Sequence, residues 1–151
     1  MATSTLIQFL DAGEGADTSN RRQVETFLAG GAIAAGDVVA LDIAGQTGTD
    51  SVLYVIQAGL VATGNPSAVG VSLDTVAAGQ QVRVVVSGYA ADVNCTNGTI
   101  AANAALSAGK TAAGEVETAA NTDTAGLFAV ALENKGATTA NRVAIHILKR
   151  F

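Results

Sequence analysis

The residues best suited to proton transfer or nucleophilic attack are a single histidine, His146, and a single cysteine, Cys95. A Cys–His mechanism needs the base within hydrogen-bond reach of the thiol, and a third group to orient it. His146 lies in the run Arg142-Val143-Ala144-Ile145-His146-Ile147-Leu148. Strand alternation there puts it on the face opposite Val143, Ile145 and Ile147, which predicts a half-exposed strand histidine. Cys95, in Asn94-Cys95-Thr96, has no second thiol for a disulfide or a Cys-based zinc site. Gly109-Lys110-Thr111 has the ending of a phosphate-binding loop, but the first glycine of that loop is replaced by Ala104. Ala101-Ala102-Asn103 is also no buried strand for such a loop to follow. Lys110 lacks the neighbours of a biotin- or lipoyl-bearing lysine and is expected to be a surface turn residue. Asn94-Cys95-Thr96 and Asn97-Gly98-Thr99 fit the glycosylation sequon but, with no leader segment, are expected to be turns. Asp11, Glu14 and Asp17 are too loosely spaced for a calcium loop. The sequence thus predicts no catalytic residue, no metal site and no cofactor, and a protein that is not an enzyme.

The elements that would have to position any site are thinly built. The chain has 151 residues, and 49% are apolar, but 31 of those are alanines. It has four Phe, two Tyr and no Trp. Burying a methyl removes little surface, whereas a Leu or Phe contributes roughly 1.5–3 kcal/mol. So thin a core suggests support from partner subunits or from a supporting surface. Charged residues are 14%, well below the usual quarter, and the net charge is −5. Arg21-Arg22 and Lys149-Arg150 are the largest basic clusters, which argues against nucleic acid as a partner. No apolar run approaches about 18 residues, and the opening residues have no charged-then-apolar leader, so no membrane is expected either.

Residues 1–22 read as an extended arm, with Gly13, Gly15 and three carboxylates around the apolar Leu6-Ile7 and Phe9-Leu10. Ile7, Phe9 and Leu10 are candidate contacts with a partner, because large apolar side chains on a terminal arm need a docking surface. From residue 23 to 151 the pattern is β. Expected strands start near Val24 and cover Asp37–Ile43, Val52–Ile56 (buried on both faces), Ala68–Leu73, Gln81–Ser87, Tyr89–Cys95, Glu115–Thr118, Leu127–Leu132 and Arg142–Leu148. Roughly nine short strands punctuated by Gly or Asn predict an all-β domain, a small sandwich or barrel.

A faint repeat runs through the domain. Ile33-Ala34-Ala35-Gly36-Asp37-Val38-Val39 matches Val76-Ala77-Ala78-Gly79-Gln80-Gln81-Val82 and, more loosely, Ile100-Ala101-Ala102-Asn103-Ala104-Ala105-Leu106. Each reads as a turn whose Gly or Asn takes a positive φ before a new strand. The stretch from Thr96 to Gly126, rich in Ala, Thr, Gly and Asn, reads as a flat small-residue surface suited to another protein. Leu106 and Val116 are its candidate contacts.

The run Gly31-Ala32-Ile33-Ala34-Ala35-Gly36-Asp37-Val38-Val39-Ala40-Leu41, then Ala68-Val69-Gly70-Val71-Ser72-Leu73, then Ala78-Gly79-Gln80-Gln81-Val82-Arg83-Val84 closed by Gly88, is similar to capsid cement (head decoration) proteins of tailed bacteriophages. The resemblance covers about Ala32 to Gly88, and the Met1–Phe27 region resembles cyanophage virion proteins. It implies a β-rich domain on the outer surface of an expanded icosahedral capsid, assembled in the host cytoplasm, with the major capsid protein as partner. It also implies a homo-oligomer, commonly a trimer near a local threefold axis. An alternative is an adhesion or carbohydrate-binding module on a virion surface or tail appendage, which would need exposed rings from Tyr54 or Tyr89.

Overall fold

A computed structural model of the chain describes residues 22–96, 98–120, 127–137 and 141–148. The strands are β1 (Arg22–Ala29), β2 (Val38–Leu41), β3 (Tyr54–Gln57), β4 (Ala68–Ser72), β5 (Gln81–Asn94), β6 (Ala105–Ala108), β7 (Val116–Thr118), β8 (Leu127–Ala131) and β9 (Arg142–Ile147). Among the described residues the one helical element is a 3-10 turn, Gly48–Val52. The fold is all-β, as the alternation predicts.

All nine strands join one sheet in the order β1-β3-β2-β4-β5-β9-β8-β6-β7, and β1 also pairs with β5. Pairing therefore returns on itself through β1, β3, β2, β4 and β5. The remaining strands run outward from β5 to β7, so the sheet as a whole is not a closed barrel. Every pairing is antiparallel except β1 with β3, which meet only at Leu28–Tyr54 and Ala29–Val55.

Two cores follow from this topology. Val39, Val55, Val69, Val82, Val84 and Val86 pack inside the five-strand ring with Ala29 and Ile33. Val38, Val71, Val85, Val93, Leu106, Phe128, Val143, Ile145 and Ile147 build the larger core beside the outer strands. Strands β2, β4 and β5 are shared, sending residues into each core. That sharing is why Val84, Val85 and Val86 are all buried where simple alternation expects Val85 to be the exception.

Three expectations need correction. Gln81–Ser87 and Tyr89–Cys95 are one strand, because Gly88 passes through the ladder at φ 90° without ending it. Val52 and Leu53 are not buried in a strand: they close the 3-10 turn at 56% and 53% exposure, and β3 begins only at Tyr54. In the small-residue stretch, Leu106 and Val116 are wholly buried, with Ile100, in the larger core. Their side chains face inward because β6 and β7 pair with each other and cover that core. Ser107, Ala108, Gly109 and Gly114 between them are buried too, so a contact surface there would be left to Thr111, Ala112 and Ala113.

Candidate functional site

The repeated turn sets up the most structured polar feature. Asp37 is 4% exposed. Its Oδ2 accepts from the Ala34 N–H (2.8 Å) and from Gln57 Nε2 (3.1 Å), and its Oδ1 accepts from Asn94 Nδ2 (2.6 Å). One carboxylate thereby closes its own turn and joins it to β3 and β5. The second turn copies the local bond, with Gln80 Oε1 accepting from the Ala77 N–H at 3.1 Å. In the third turn Ala104 offers no acceptor, and Asn134 Oδ1 takes the neighbouring Ala102 N–H instead. The first two turns also face each other through reciprocal Ile33–Val76 backbone bonds. Gly36, Gly79 and Asn103 take φ of 88°, 82° and 65°, as the repeat predicts.

Replacing Asp37 by alanine strands two part-buried amide donors and an N–H. Unsatisfied groups of this kind cost about 1–3 kcal/mol each when fully buried, so a loss of about 3 kcal/mol is expected from chemical denaturation. Asp37→Asn, which keeps an acceptor, should recover part of it. An Asp37→Ala protein as stable as the parent would remove the hub role.

Beside this turn lies an open groove of about 620 Å³, lined among others by Arg22, Gly36, Leu73, Arg83, Asp92 and Arg142. Arg142 Nη1 donates to the carbonyls of Ala35 (3.1 Å) and Asp92 (2.6 Å). Asp92 presents its carbonyl there because the register shift between Ala90 and Val93 puts it at φ 52°. Gly36 is required in turn, since a Cβ on it would collide with the Arg142 guanidinium. Arg83, also on the groove, donates from Nε and Nη2 to the two carboxylate oxygens of Asp74, at 3.0 and 2.6 Å. The hydrogen bond from Arg83 holds the Asp74 carboxyl below its ordinary range. That pair is largely exposed and adds little to stability.

Three of the five described Lys/Arg residues line this groove, the others being Lys110 and Lys135. Lys135 is a structural cation, 3% exposed, donating from Nζ to the carbonyls of Thr96 and Gly98 at 2.9 Å each. Among the described residues no group of His, Cys, Asp and Glu is placed to hold a metal ion. The arrangement can bind an anion by charge and guanidinium donors.

His146 is exposed on β9 while Val143, Ile145 and Ile147 are buried, as alternation predicts. Cys95 is wholly buried in the larger core, and burial raises its thiol pKa. It should therefore resist thiol reagents in the native protein and react on unfolding; reaction under native conditions would contradict that placement. Lys110 sits half-buried in the bend after β6. Ile7, Phe9 and Leu10 lie outside the described residues. Sequence reasoning missed Asp37 as a hub and the arginine groove. The Ala-Ala-Gly-Asp turn was a legible signal for the first. The second had none, because Arg22, Arg83 and Arg142 are far apart in the chain.

No family model matches the chain, and no curated protein matches it. Among solved structures, the head fiber gp8.5 N base of bacteriophage phi29 is similar, with a TM-score of 0.55 and 18% sequence identity over 84% of this chain and 94% of that one. The likeness is one of fold.

Proposed function

We propose that this is a structural virion protein of a tailed bacteriophage that binds the outer surface of the expanded icosahedral capsid and cements it. The observation that carries the reading is the fold shared with the base of a phage head fiber. It agrees with the resemblance of Ala32–Gly88 to cement proteins. The mechanism is mass action: copies that bind only the expanded lattice stabilise that state in proportion to their number and affinity. The partner is the major capsid protein, the working unit a homo-oligomer, commonly a trimer in such proteins, and the chain performs no catalysis.

Contact is made by the arm, through Ile7, Phe9 and Leu10. Ile43, Val52 and Leu53 add a second apolar surface: all three are more than half exposed, and the Asp42–Tyr54 backbone bond brings their segments together. Exposed apolar side chains gathered in this way mark protein contacts. Deleting residues 2–20 should weaken binding to expanded heads about tenfold or more, the loss of one or two buried large side chains, while the β domain stays folded. Undiminished binding would remove the arm from the account.

The carbohydrate-binding alternative is less supported, because Tyr54 and Tyr89 are both only partly exposed. A glycan-array signal abolished by Tyr89→Ala would favour it.

A further inference from the structure

The geometry points to the arginine groove as a docking site for a carboxylate-bearing peptide, and to residues 11–17 of the same chain as its occupant. This goes beyond the cement reading and does not rest on it. In a protein of net charge −5, the groove gathers Arg22, Arg83 and Arg142 around one opening. Of these three arginines only Arg83 has a carboxylate partner among the described residues, Asp74, and Asp92 is the acidic residue on the groove wall. Arg22 and Arg142 are thus set against Asp92 alone, which leaves the groove a net positive charge, with Arg142 steered by two carbonyls rather than paired with a carboxylate.

The complementary charge lies immediately upstream. Asp11, Glu14 and Asp17 are the only charged residues before Arg21. Arg22 opens β1 and itself lines the groove, so the preceding residues join the domain at this site. Asp17 is five residues from Arg22, a reach of about 17 Å in extended chain. A tether that short gives an effective concentration on the order of millimolar, which favours the chain's own arm over a second copy's. Glycines at 13 and 15 let the backbone follow the opening. With the acidic stretch held there, Leu6 to Leu10 would leave the groove from a fixed point, reducing the ordering cost of any later contact.

Hydrogen exchange of the full-length chain, followed at the amides of residues 11–17, tests this. At low salt those amides should exchange about tenfold more slowly than at about 1 M salt, where screening shortens the reach of the charges to about 3 Å. Two variants, R22Q/R142Q and D11N/E14Q/D17N, should each abolish the protection while the β5 amides keep theirs. Dilution should leave it unchanged. Unprotected amides in the parent, or protection that survives both sets of substitutions, would overturn the site. Protection lost on dilution would overturn the assignment to the chain's own arm in favour of a second copy's.

Discussion

Gly70→Ala should be the most damaging single methyl in the protein, costing at least about 4 kcal/mol or preventing folding outright. Gly70 stands in β4 opposite Val39, whose side chain points into the five-strand ring. A Cβ there would run into the backbone carbonyl of Val85 and lie 2.6 Å from Val84 Cγ1. A flexible side chain could retreat, but a backbone carbonyl in the long shared strand cannot move without breaking the β4–β5 ladder. The interior of the ring is already filled by valines, so no neighbouring space can absorb the strain. Gly31→Ala supplies the control, since an added Cβ meets nothing within 4 Å. Thermal unfolding should show Gly31→Ala near the parent and Gly70→Ala lower by about 10 °C or more. Near-parental melting of Gly70→Ala would mean that the ring is looser than described.

Phe128→Ala should cost about 4 kcal/mol, through lost transfer energy and the cavity left behind. Phe128 heads the largest wholly buried side chains and sits in the larger core with Leu106, Ile145 and Ile147. In a core otherwise made of Val, Ala, Cys95 and a few Ile and Leu, no adjacent side chain is long enough to refill the space. Phe128→Leu should lose less than half as much. Denaturant titration at unchanged m-value would measure both. A Phe128→Ala loss below about 1 kcal/mol would show that the outer strands collapse onto the site, contrary to a core built around that ring.

Much of the architecture could be read from the residues. Alternation located most strands and placed His146 outward, and the Gly and Asn of the repeat foretold the positive-φ turns. What escaped were consequences of sharing. Alternation records one buried face, so it could not show that β2, β4 and β5 serve two cores, or that Gly88 lies within a single strand. Leu106 and Val116 looked like isolated apolar residues in a surface segment because their packing partners, such as Phe128 and Ile145, are distant in sequence. The groove escaped for the same reason. Asp37 was visible in its turn, but its bonds to Gln57 and Asn94 depend on strand pairing that local patterns do not encode.

The central claim is attachment to the capsid, and co-sedimentation of the purified protein with phage heads tests it most directly. Expanded heads and compact precursor shells would be compared over a range of protein concentration. The account predicts saturable binding to expanded heads and none to the precursor, with the plateau giving the number of copies per head. Failure to bind either form, or equal binding to both, would contradict a cement that stabilises the expanded lattice.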